Sequence, residues 1–154
     1  PLYSSAASDV YKRQDSATIT VNNPENISFT ITDYGSAGIN FGNLDMGATN
    51  QPADQIEGTG AVTLTVGDET NVAVNIQLKG NDFTGASTIP ISNVKYNNAN
   101  TTTGASTLTT SYVTWYSVPA YTADTRECYH WISIPSGQTG GGYTSTFYYQ
   151  AVGQ

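Results

Sequence analysis

Residues Ala61–Leu78, AVTLTVGDETNVAVNIQL, restrict what this chain can fold into more than any other stretch. Val62, Leu64 and Val66 alternate with Thr63 and Thr65. Val72, Val74, Ile76 and Leu78 then alternate with Ala73, Asn75 and Gln77. Successive side chains of a β-strand point to opposite faces, so this period of two predicts two half-buried strands. Gly67, Asp68, Glu69, Thr70 and Asn71 lie between them and read as a turn. The stretch therefore predicts an antiparallel hairpin with one apolar face and one face of Thr, Asn and Gln. An isolated hairpin cannot bury its apolar face, so the rest of the chain must supply a second sheet.

Further short runs supply it. Ala17–Val21 and Ile27–Thr32 alternate, with Ile27, Phe29 and Ile31 inward, and Asn22-Asn23-Pro24 separates them. Ile39–Gly42 reads as a third short strand, and Thr49–Gly60 as a polar excursion over the surface. Gly80–Thr88 reads as a loop with Phe83 as its plug. Pro90 places the start of Ile89–Tyr96 at an edge or a bulge. Asn97–Thr107 is an Asn/Thr loop without apolar content, expected to be exposed and mobile. Tyr112–Val118 carries aromatics on both faces. Arg126–Ile134 and Tyr143–Val152 complete the set, with Tyr143, Phe147 and Tyr149 sharing one face by parity. The expected fold is an all-β, Ig-like or jelly-roll antiparallel β-sandwich of about nine strands.

Charge narrows the function classes. Only 11% of the 154 residues are charged, well below the usual quarter, so solubility rests on Thr, Ser, Asn and Gln. The net charge of −7 leaves few cations for phosphates and argues against nucleic acid and anionic membranes as partners. No apolar run reaches the length of a transmembrane helix, so no membrane insertion is expected of this chain. Cys128 is the only cysteine, which excludes an internal disulfide and any multi-cysteine metal site.

Ser4–Gln14, SSAASDVYKRQ, resembles translated sequencing-adapter read-through, most specifically in DVYKRQ. Residues 1–14 are accordingly expected to be an artefact or a disordered tail, and residues 15–154 a single β-sandwich domain. From Asp15 onward, three Lys and Arg stand against eleven Asp and Glu, a net of −8.

Two corners carry a family resemblance. Ile39–Gly47, INFGNLDMG, resembles a turn common in Ig-like domains of prokaryotic surface proteins. Ile132-Ser133-Ile134-Pro135-Ser136-Gly137, with Gly142–Phe147, resembles the penultimate turn and last strand of the same domains. In order and spacing, residues 15–154 are similar to secreted sandwich subunits of archaeal pili and bacterial TasA-like fibres. The resemblance implies an extracellular, cell-surface protein that polymerises with copies of itself. Its motifs concern turn geometry and specify fold better than function. In physical terms, Gly42 and Gly47 provide backbone angles closed to other residues, and Pro135 ends a strand by removing a donor.

Chemistry-bearing residues are few. Cys128 and His130, two apart on one strand, share a face opposite Tyr129 and Trp131. They could ligate a metal or form a nucleophile–base pair, but two ligands are too few for structural zinc, and no oxyanion hole is identifiable. Both read as partly buried strand residues. Asp33, Asp45, Asp54, Glu57, Asp68, Glu69 and Asp82 sit in loops without the spacing of a calcium loop and read as solvated acids. No catalytic residue, metal ligand or cofactor is assigned, and the chain reads as not an enzyme. Trp115, Trp131 and Tyr116 are the aromatic candidates for a core or subunit interface. A row of such aromatics on one sheet face would instead suit stacking on sugar rings. Asn26 and Asn100 fit the N-glycosylation pattern, Asn100 in a polar loop and Asn26 beside an inward Ile.

The leading expectation is a structural subunit. Ala17–Val21 is short, terminal and set apart, so it can pair within its own sheet or add to a neighbour's exposed edge with Ala17, Ile19 and Val21 inserted. Repeated head-to-tail, that contact makes a filament. A carbohydrate-binding or adhesin module, with glycans as partners, is the alternative.

Overall fold

The computed structural model describes residues 23–33, 38–53 and 61–154. Twelve strands are present among them: β1 (Phe29–Thr32), β2 (Gln51–Pro52), β3 (Val62–Val66), β4 (Val74–Gly80), β5 (Phe83–Gly85), β6 (Thr88–Ile89), β7 (Val94–Asn97), β8 (Ser106–Thr107), β9 (Val113–Val118), β10 (Asp124–Ile132), β11 (Tyr143–Thr144) and β12 (Phe147–Gly153). One sheet runs β1-β3-β10-β7-β8, with β2 also paired to β10. A second runs β12-β4-β9, and a small third sheet runs β11-β5-β6. Every pairing is antiparallel. The fold is an all-β sandwich. Among the described residues no helix is long and apolar enough to cross a membrane.

The expected hairpin is not one. β3 pairs with β1 and β10, whereas β4 pairs with β12 and β9. Residues 67–73 carry the chain from one sheet to the other, as an arch. Alternation specified correctly which side chains face inward, but both strands of an arch and both strands of a hairpin satisfy it equally. Polar side chains in the loop decide between them. The Ser28 backbone N–H donates to Thr70 Oγ1 at 3.0 Å, and the Asn26 backbone N–H donates to Asn71 Oδ1 at 2.8 Å. Asn71 Nδ2 donates to the Pro24 carbonyl at 2.9 Å, and the Tyr121 N–H to the Thr70 carbonyl at 2.7 Å. Besides the Thr70 N–H to Gly67 carbonyl bond that closes the turn at 3.1 Å, the loop thus bonds to the segment entering β1 and to the β9–β10 connection.

The arch makes the core. Val62, Leu64 and Val66 from one sheet, and Val74, Ile76 and Leu78 from the other, are all at most 1% exposed and belong to one cluster. Each such burial is worth roughly 1.5–3 kcal/mol, so these six side chains dominate the docking of the two sheets.

A bulge corrects the reading of β9. Ile76 pairs with Tyr116 and Gln77 with Thr114, which leaves Trp115 as an extra residue. The irregularity breaks strict alternation. Trp115 therefore packs against the core with its ring centroid 5.7 Å from Tyr96 and 5.0 Å from Tyr116, both edge-to-face.

Four smaller expectations also shift. Ile39–Gly42 forms no strand: the Gly42 N–H folds onto Asn40 Oδ1 at 2.8 Å. Gly42 and Gly47 do take the left-handed angles expected of them, with φ of 71° and 78°. Pro52, in the expected surface excursion, pairs with Trp131 of β10, and Ala53 beside it is buried. The Asn97–Thr107 loop is braced internally, Asn97 Nδ2 donating to the carbonyls of Thr101 and Thr103. Phe83 is buried as a plug, but on strand β5, with its ring edge-to-face to Phe41 and Phe147.

Candidate functional site

Two features stand out from the apolar interior: a buried polar cluster and an open groove beside it. The cluster begins on β10. Cys128 and His130 both point inward, and both are closed off from solvent rather than partly buried as expected, at 0% and 1% exposure. Cys128 Sγ lies 3.6 Å from His130 Nε2. Tyr149, from β12 in the opposite sheet, brings its Oη to 3.0 Å from the same nitrogen. The Phe147 ring lies 5.5 Å from the imidazole. His130 Nδ1 has no hydrogen-bond partner among the described residues. Whichever nitrogen carries the proton, one buried polar atom stays unpaired, at a cost of about 1–3 kcal/mol.

Electrostatics hold this cluster neutral. Burial drives the His130 pKa down from 6.5 to about 3, against a smaller opposing contribution from the Cys128 backbone. Burial likewise pushes the Cys128 thiol and the Tyr149 phenol well above their ordinary values. A nucleophilic cysteine acts as a thiolate in a partly exposed, electropositive setting. Cys128 has neither the charge state nor the access. Among the described residues no three His, Cys, Asp or Glu side chains come together as metal ligands. Asp82 instead accepts the Ile91 N–H at 2.8 Å, and Asp124 pairs with Arg126 at 3.0 Å.

The groove is a cavity of about 980 Å³. β1 contributes Phe29 and Ile31, and β12 contributes Phe147 and Tyr149. Val62, Ile132 and Ile134 lie along it, and Ile39, Phe41, Leu44 and Met46 border it together with Phe83 and Ile89 of the small sheet. The Gly-rich turn forms its rim, where Tyr143 Oη meets Ser87 Oγ at 3.0 Å and accepts from Gln138 Nε2 at 2.9 Å. Among the described residues no charged side chain lines it. Among the described residues, β1 and β12 end their respective sheets, so the groove runs between two edges.

The residues singled out from sequence distribute as follows. Ala17, Ile19 and Val21 lie outside the described residues. Tyr116 is 9% exposed, with the Arg126 guanidinium 4.0 Å above its ring; burial raises its phenol pKa. Trp115 is half-buried against it. Trp131 is 5% exposed and stacks on Tyr129 at 6.4 Å on the other face of β10. The three aromatics are thus not gathered into one patch. Tyr148 on β12 and Tyr112, just before β9, are exposed rings that flank Lys79 Nζ at 4.8 and 4.7 Å. Asn26 Nδ2 is occupied, donating to the Glu69 carbonyl at 2.9 Å, whereas Asn100 is exposed in the β7–β8 loop. Sequence reasoning missed the groove and Tyr149. Only the inward parity of Phe147 and Tyr149 pointed toward either.

The chain matches no protein-family model, no curated protein and no solved structure.

Proposed function

We propose that this protein is an extracellular structural subunit that joins copies of itself into a cell-surface filament or layer, each copy adding its N-terminal strand to a neighbour. The observation that carries this reading is the groove: about 980 Å³ of space between two sheet edges, lined among the described residues by a mixture of apolar and uncharged polar groups. Unpaired strand edges are templates for another chain. The all-β sandwich, with sequence turns that resemble those of prokaryotic surface domains, is compatible with this role.

Microscopy tests it. The purified full chain, concentrated and imaged in negative stain, should show filaments or sheets, and Ile19→Asp should abolish them while the β-sheet circular dichroism is retained. Monodisperse particles for both proteins at all concentrations overturn the reading.

One observation favours a glycan-binding role instead: Tyr112 and Tyr148 are exposed beside a row of amides in which Gln150 Nε2 donates to Gln77 Oε1 at 2.8 Å. Retention on polysaccharide that is lost in Tyr112→Ala would support it.

A further inference from the structure

Resting on the glycan-binding reading and naming its ligand, we infer that the outer face of the β12-β4-β9 sheet takes a neutral, hydroxyl-rich polysaccharide. Rows of fixed amides and the Tyr112 and Tyr148 rings recognise it. Charge, hydrogen-bonding capacity and preorganisation lead there.

Register sets the face. Asn75, Gln77 and Lys79 alternate with the buried residues of β4 and so point away from the core. Tyr148, Gln150 and Val152 of β12 stand opposite Lys79, Gln77 and Asn75, and Thr114 and Ser117 of β9 oppose Gln77 and Asn75 from the other side. β4, β9 and β12 hold no Asp or Glu, and Lys79 is their one charged residue. Its ammonium lies between two phenol rings. The chain carries −7 overall, which repels a polyanion, whereas an uncharged polymer meets no such barrier.

The amides on this face are tied in rows yet keep spare capacity. Gln150 Nε2 donates to Gln77 Oε1 at 2.8 Å, and Gln77 Nε2 donates to Thr114 Oγ1 at 3.2 Å. In the next row Ser117 Oγ and Gln154 Nε2 both donate to Asn75 Oδ1, at 2.6 and 2.9 Å. Asn75 Nδ2 and Gln150 Oε1 have no hydrogen-bond partner among the described residues. An unused donor and an unused acceptor therefore stand at fixed places on one sheet face. A sugar hydroxyl both donates and accepts and so suits both, while a carboxylate only accepts and an ammonium only donates.

The rings are held as firmly. Lys79 Nζ lies 4.7 Å from the Tyr112 centroid and 4.8 Å from that of Tyr148, and Asn81 Nδ2 reaches Tyr148 Oη at 3.4 Å. Each ring spends one face on the ammonium and remains exposed, so the apolar side of a sugar ring can pack on the other. Side chains already fixed lose little freedom on binding, and weak contacts repeated along a polymer add up.

Affinity electrophoresis of the full chain tests this. The gels hold β-glucan, galactomannan or dextran as neutral polymers, or polygalacturonate as an acidic one. At least one neutral polymer should retard the chain. The apparent affinity should fall about tenfold in Tyr148→Ala and in Asn75→Ala, and should hold in Thr65→Ala on the other sheet, with β-sheet circular dichroism retained in all three. Retardation by polygalacturonate alone overturns the inference and leaves glycan binding standing. So does retardation by a neutral polymer that Tyr148→Ala and Asn75→Ala both leave intact. No retardation in any gel removes the glycan-binding reading itself, and the inference with it. If Tyr148→Ala then lowers the assembly mass in light scattering, the face docks a second copy instead.

Discussion

His130 Nε2 and Tyr149 Oη lie 3.0 Å apart and belong to opposite sheets of the sandwich. A polar contact therefore joins the two layers inside an otherwise apolar core. In so dry a place the bond is strong and a missing partner costly, so this pair ties sheet packing to solution conditions.

Acid should loosen the fold through His130. Its pKa is about 3 when folded and 6.5 in its ordinary state. The unfolded chain thus binds this proton first as pH falls. The stability His130 contributes as a neutral ring is complete above about pH 6.5 and is lost as pH drops toward 3, at up to roughly 1.4 kcal/mol per pH unit. Urea melts from pH 7 to pH 4 should show this slope. His130→Gln, which cannot take up a proton, should flatten it over the same range.

Tyr149→Phe should destabilise the protein by about 1–3 kcal/mol, because the imidazole would then keep only the distant Cys128 sulfur. Replacing both partners by apolar groups removes the unpaired atoms together. His130→Leu with Tyr149→Phe should therefore cost less than the two single changes added, a difference that a double-mutant cycle in chemical denaturation reads directly.

The arch should depend on one hydroxyl. Thr70 is fully buried, and its Oγ1 accepts the Ser28 N–H. Thr70→Val keeps the shape but leaves that N–H unpaired, for a loss of about 1–2 kcal/mol, while Thr70→Ser keeps most of the bond. Thermal melts of the two variants should separate clearly, with valine the lower.

Much of this architecture was legible in the residues, and the parts that were not share a cause. Val62, Leu64, Ile76 and Leu78 face inward as their alternation requires. Alternation fixes the face a side chain takes and is silent about the strand it pairs with. The arch was therefore misread as a hairpin, although Thr70 and Asn71 carried the deciding hydrogen bonds. Trp115 escaped its parity because a bulge inserted it into the pairing. His130 looked half-exposed because a lone imidazole gives no sign of the Tyr149 that meets it from 19 residues away. The groove is assembled from segments distant in the chain, so no single stretch announced it. Only the ATITV run, set apart in the sequence by Asn22-Asn23-Pro24, pointed toward strand addition.

The most direct test of the central claim is competition. A synthetic peptide spanning Asp15–Asn23, added in excess to the full chain, should occupy acceptor grooves and stop chain growth. Multi-angle light scattering should then show the mass of the assemblies fall toward that of a monomer, and a peptide with Ile19→Asp should leave the mass unchanged. An assembly mass that ignores both peptides, or a wild-type chain that is monomeric before either is added, contradicts the account.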